Sequence, residues 1–194
     1  MAKLEESTVS EASELETKLI GAIAHRVVDD LALVVDRSMT SEVLEVCRID
    51  RRQAGQGQVH ISFKLGFTAP SGSGHGCLLM PLPDAVALAS HLMMEPDATV
   101  KERRGDTELD RSTRDAMIEV ANFVGGATDA AMRTLSVSGL SARSEGCQGV
   151  RADVRPAFPY QEGSLLVLGQ ARFQLHTFDP FEVLIMLPVL AELD

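Results

Sequence analysis

Positive charge is scarce in this chain: 18 lysines and arginines stand against 28 aspartates and glutamates in 194 residues, a net charge of −10. A sequence-independent grip on DNA or RNA needs clustered basic side chains facing phosphates, so nucleic acid is not an expected partner. The two basic knots, Arg48/Arg51/Arg52 and Lys101/Arg103/Arg104, are short and read as solvated surface. Cysteine is equally sparse. Cys47, Cys77 and Cys147 sit singly, with no C-x-x-C spacing, which excludes the usual zinc and dithiol signatures and leaves reduced, partly buried thiols as the expectation. No apolar run approaches the length of a membrane span. The polar, acidic N-terminus lacks the basic start and apolar core of a secretory leader. A soluble, cytoplasmic protein with no membrane contact is the resulting expectation.

Several catalytic patterns are missing too. The histidines at 25, 60, 75, 91 and 176 are scattered without the spacing of a metal site, so no metal of the chain's own is expected. There is no G-x-S-x-G nucleophile elbow. The glycine-rich stretch Pro70 to Gly76 lacks the lysine and helix start that a phosphate-cradling loop requires, and reads as a hairpin.

What is present is enough for one sizeable core: 45% of the residues are hydrophobic. The expected organisation is a disordered segment over residues 1–12 and a single domain over 13–194. Helical periodicity from Ser13 through Leu15, Leu19, Ile23, Val27 and Leu31 predicts a long helix ending near Thr40, then a short strand over Glu42 to Ile49. Ile61, Phe63, Leu65 and Phe67 alternate with Ser62, Lys64 and Gly66, the pattern of a strand with one buried face, and Cys77 to Pro81 returns it. A short helix follows over Asp84 to Met94, then a charged linker from Glu95 to Arg111, then a helix from about Thr107 to Leu135. Glycines 139, 146 and 149 punctuate the next stretch, giving short strands over Ser136 to Ser141 and Val150 to Val154. Leu165 to His176 and Phe181 to Leu187, joined by Phe178-Asp179-Pro180, read as an antiparallel pair. The fold class is α/β (α+β), an antiparallel sheet packed against long helices rather than a doubly wound parallel fold.

The chemistry lies in the last long helix. Leu109, Ala116, Val120, Val124, Ala127, Ala131 and Leu135 project within an arc of roughly 100°, a core-facing stripe. Asp115, Glu119, Asn122 and Gly126 fall together at about −60° to −120° from Ala116, off that stripe, with Arg133 prolonging the row. Glycine inside a helix costs roughly 1 kcal/mol relative to alanine unless something approaches the backbone, so Gly126 reads as a gap left for a neighbour.

The stretch Glu119-Val-Ala-Asn122-Phe-Val-Gly-Gly126, with Asp115 upstream, resembles the E-x-x-N motif of the CheC/CheX/FliY chemotaxis phosphatases. Gly74 to Met94 is similar to that family's strand and following helix. The first helix carries no E-x-x-N, so the likeness is to the single-site CheX type. The sequence departs from the family pattern after the helix, where Ser144 stands in place of a proline. The resemblance implies a CheC/CheX-like sandwich and a hydrolase that removes phosphate from the aspartyl phosphate of a CheY-like response regulator. By that likeness Asn122 orients the attacking water, Glu119 pairs with a regulator lysine, and Asp115 and Gly126 are partner contacts. The chain needs no cofactor; Mg2+ is held by the regulator. The family likeness also implies a homodimer formed through the sheets, for which the apolar terminal strand Val183 to Leu187 is the candidate surface. The alternative carried beside this is a non-catalytic adaptor of the same fold that binds a response regulator or a flagellar-switch component.

Overall fold

The computed structural model describes residues 9–70, 72–135 and 139–189. Helix α1, Glu14–Val35, starts at a capping box: the Ser13 hydroxyl accepts from the Glu16 amide and the Glu16 carboxylate accepts from the Ser13 amide. It ends because Asp36 adopts a left-handed conformation (φ 51°), several residues before the expected stop at Thr40, and strand β2, Met39–Ile49, takes over at once. The expected hairpin of β3 (His60–Ala69) and β4 (Gly72–Pro81) follows, but Gly72 to Gly76, expected in its loop, are paired strand opposite Leu65 to Ala69; then comes α2 (Leu82–Leu92). The charged linker contains a further short helix, α3 (Asp97–Arg103), before α4 (Arg111–Thr134). Strands β5 (Ser141–Val150), β6 (Leu166–Leu175) and β7 (Phe181–Pro188) close the chain.

At the other end, Val9–Glu11 forms a short strand, β1, paired antiparallel with Cys47 to Ile49 of β2. The disorder expected up to residue 12 therefore runs too far, because the free edge of β2 offers this segment backbone partners that no local pattern announces. Residues 1–8 of that expectation lie outside the described residues.

The sheet has seven strands in the order β1-β2-β6-β7-β4-β3-β5, and every described pairing is antiparallel. Leaving β1 aside, the order reads the same from both ends when α1-β2-β3-β4 is exchanged with α4-β5-β6-β7. The correspondence extends to the irregularities. β2 breaks register against β6 at Val43/Glu45, and β5 breaks register against β3 opposite Phe63/Leu65. The domain is two copies of one helix-plus-three-strand unit about a pseudo-twofold axis between β7 and β4.

Two expectations are corrected by this topology. A single strand, β5, runs where two short strands separated by glycines were expected; Gly146, at φ 81°, lies in the bulge against Lys64 and lets the strand continue. Residues 136–138 of the first expected strand lie outside the described residues. The terminal strand β7 is no edge: it sits between β6 and β4, with Val183, Ile185, Met186 and Leu187 buried. Its apolar character answers to two covered faces.

The main core lies between the helices and one face of the sheet, where Leu19, Ile23 and Leu31 of α1, Val86 and Leu88 of α2 and Met117, Val120 and Val124 of α4 meet Phe63, Leu78, Phe173 and Ile185. Full burial of side chains of this size stabilises by roughly 1.5 to 3 kcal/mol each, so the helices are firmly seated. A smaller cluster on the opposite face packs Cys77, Leu79, Leu168 and Met186 beneath Phe158, supplied by the irregular segment between β5 and β6. Tyr160 of that segment donates its hydroxyl toward the carbonyls of Asp50 and Ser164.

Candidate functional site

Helix α4 is started by Asp110, whose Oδ1 accepts from the Thr113 amide at 2.7 Å and from its hydroxyl at 2.8 Å. Those hydrogen bonds, the backbone one first, hold the Asp110 carboxyl below the ordinary aspartate range. Arg103 at the end of α3 pairs with Glu95 (2.5 Å), Asp110 (3.1 Å) and Asp106 (3.4 Å), so the approach to the helix is fixed by charge as well as by the cap.

The stripe read from the sequence is the buried side: Ala116, Val120, Val124, Ala127 and Ala131 are buried and Leu109 and Leu135 half-buried. Met117, Ala121 and Met132 widen it. Asp115, Glu119, Asn122, Gly126 and Arg133 are all exposed, and the structure brings the first four together in one row. The Asn122 amide nitrogen lies 3.4 Å from Glu119 Oε2, a long contact that leaves both groups free to meet a partner. Asp115 faces Arg111 at 3.8 Å. Arg133 turns to Asp129 rather than extending the row.

Sequence reasoning missed three features. Ile118 is 47% exposed beside Asp115 and Asn122, an apolar side chain on the polar face, recognisable as the residue that fails to join the stripe. Asp129 is buried and accepts from the Ala142 amide at 2.9 Å, tying α4 to β5. The close backbone approach belongs to Gly125, where a Cβ would stand 2.5 Å from the Ser144 amide nitrogen; a Cβ at Gly126 would meet nothing within 4 Å beyond its own helix backbone among the described residues. Gly126 is open to whatever docks on α4.

The histidines have carboxylate neighbours: His25–Asp29 at 2.8 Å is an i, i+4 pair on α1 that the spacing already offered, whereas His75–Glu145 at 2.9 Å, across β4 and β5, and His176–Asp97 at 3.7 Å join residues far apart in the chain. Among the described residues, no group of three or more histidines, cysteines and acids is placed to hold a metal ion. None of the described helices is long and apolar enough to cross a membrane.

The row on α4 thus offers a carboxylate and a carboxamide on an open helix face. The amide carbonyl can accept from a water molecule and its NH2 can donate, which suits positioning rather than proton abstraction.

No protein-family model matches the sequence, and no curated protein matches it. Solved structures do match. FliY of Thermotoga maritima superposes with a TM-score of 0.69 at 14% identity, over 94% of this chain and 93% of that one. The FliM middle domain of H. pylori gives 0.65 at 8% identity, over 92% and 94%. CheX of Vibrio vulnificus gives 0.53 at 13% identity, over 89% and 98%. The fold is that of the CheC/CheX/FliY proteins.

Proposed function

We propose that this protein is a cytoplasmic, single-site phosphatase of the CheX type that removes phosphate from the aspartyl phosphate of a CheY-like response regulator. The observation that carries the reading is the placement of Glu119 and Asn122 side by side, exposed on a helix that is clamped to the sheet behind it. An open helix face suits a reaction centre that lies in a partner, since the partner supplies the other wall. Asn122 would enter that centre and hold a water in line with phosphorus, in a reaction governed by positioning and electrostatics. Glu119 would pair with a lysine beside the phosphorylated aspartate, setting the depth of entry. Asp115 and Gly126 would be contacts to the regulator, with Gly126 letting its backbone come close. The regulator's own Mg2+ supplies charge neutralisation; this chain contributes no ligand to it. The test is to mix the protein with a panel of phosphorylated receiver domains and time the loss of phosphate. A panel in which no receiver decays faster than it does alone contradicts the reading.

A second reading, an adaptor that binds a regulator or a flagellar-switch component without catalysis, is favoured by the comparisons in one respect. The overlap is larger with the FliM middle domain (0.65) than with CheX (0.53), and an H. pylori FliM structure was solved in complex with FliG. Receiver binding with unchanged phosphate lifetime decides for it. Self-association through the sheet would use a free edge, β5 or the part of β2 that β1 leaves uncovered, rather than β7, and light scattering reports it.

A further inference from the structure

A cleft of about 430 Å3 lies where the β2–β3 loop, the start of α2 and the β6–β7 turn converge, and α4 contributes nothing to its lining. Its wall includes His60, which is only 6% exposed. His60 Nδ1 sits 2.8 Å from the Gln58 carbonyl, which can only accept, so Nδ1 carries the proton of the neutral ring and Nε2 presents a lone pair. Nε2 has no hydrogen-bond partner among the described residues. Burial, before any other influence, holds the His60 pKa below the usual histidine value and keeps that ring neutral at pH 7. The ring is gripped by backbone: a Cβ at Gly55 would come within 2.5 Å of it, so the loop is moulded over the imidazole.

The charges around this acceptor are one-sided. Asp84 and Arg104 pair at 2.8 Å, and the Arg104 guanidinium lies 4.2 Å from the Phe178 ring centroid, so the one cation of the lining is already engaged. Asp179 and Glu182 are exposed at the cleft and form no ion pair among the described residues, and four glutamines add amides that can accept as well as donate. A lone pair without a donor and two unpaired carboxylates together ask for a ligand rich in N–H groups and positive charge. Anions are opposed by the net charge of the lining, and the acids do not converge as metal ligands do.

We propose that this cleft binds a small organic cation bearing a guanidinium or primary amine, whose N–H groups donate to His60 Nε2 and whose charge is held by Asp179 and Glu182. The site is independent of the α4 row.

Titration calorimetry of the full chain with agmatine tests it, with 1-butanol as a neutral probe. Saturable, salt-sensitive binding of agmatine and none of butanol is expected. The exposed double variant Asp179→Asn/Glu182→Gln should weaken agmatine binding by roughly tenfold or more. Glu14→Gln/Asp29→Asn removes the same charge from α1, away from the cleft, and should leave binding unchanged. His60→Phe should weaken it also, and if that variant does not fold the carboxylate pair still decides. Failure of agmatine to saturate, equal binding by butanol, or equal losses in the two double variants overturns the proposal. The phosphate-release assay reports separately on α4.

Discussion

Gly125 of α4 and Ser144 of β5 approach so closely that a methyl group on the glycine would lie 2.5 Å from the serine amide nitrogen. This contact, with the Asp129–Ala142 hydrogen bond one turn later, sets the height of α4 over the sheet and so of the Glu119/Asn122 row. Gly125→Ala gains helix propensity worth at most about 1 kcal/mol, but the atoms it meets are backbone and cannot swing aside. The net effect should be a loss of about 1 to 3 kcal/mol, read from the urea midpoint.

Gly126→Ala, one residue on, should do the opposite. Its Cβ would enter open space, so stability should rise by up to about 1 kcal/mol. If a regulator backbone docks there, the same variant should bind a phosphorylated receiver more weakly while being the more stable protein. Unchanged affinity would remove Gly126 from the partner surface.

Asn122→Ala should lower accelerated phosphate loss by about 100-fold or more, the order expected when a positioning group is lost, while leaving the receiver dissociation constant within about twofold. Glu119→Ala should weaken binding itself, because its proposed partner is a lysine. Both side chains are exposed, so unfolding free energies should stay within about 0.5 kcal/mol of wild type. Equal decay rates with wild type and Asn122→Ala would leave the adaptor reading.

Why part of this was legible follows from period and distance. The stripe and the row on α4 obey the 3.6-residue repeat, so their separation could be projected from the chain. Strand order has no local signature: β7 looks like an edge seeking a partner only until β6 and β4 are known to flank it. The choice between Gly125 and Gly126 is likewise tertiary, since either could be the close contact until β5 is placed. The Asp84–Arg104 and His75–Glu145 pairs join residues that nothing in the sequence relates.

The thiols should be graded. Cys77 is fully buried between β3 and β7, and burial pushes its pKa to about 12, so it should resist a disulfide reagent at pH 8 until denaturant is added. Cys47 and Cys147, half-buried and raised mainly by burial as well, should react slowly in the native state. Counting the thiols released in the first minutes and again in guanidinium checks this. Fast labelling of Cys77 in the folded protein would contradict the packing of the smaller core.

The acid limb of the stability curve should depend on Glu16. Its carboxylate is buried under the start of α1 and takes three contacts of 2.9 to 3.2 Å from Arg48 of β2. Burial opposes ionisation there, but the Arg48 hydrogen bonds and the Ser13 amide outweigh it, and the net effect holds the Glu16 carboxyl below the usual glutamate range. A folded pKa below the unfolded one means stabilisation that is present above the unfolded value of about 4.3 and lost as pH falls through the folded value. Glu16→Gln keeps the shape and removes the charge. Because Arg48 remains partly exposed, the loss at pH 7 should be near about 3 kcal/mol, the lower end for breaking a buried pair. The gap between wild type and variant, measured by urea unfolding from pH 7 to pH 3, should close below about pH 4.3. A gap that stays constant across that range would show that Glu16 contributes packing and capping rather than charge.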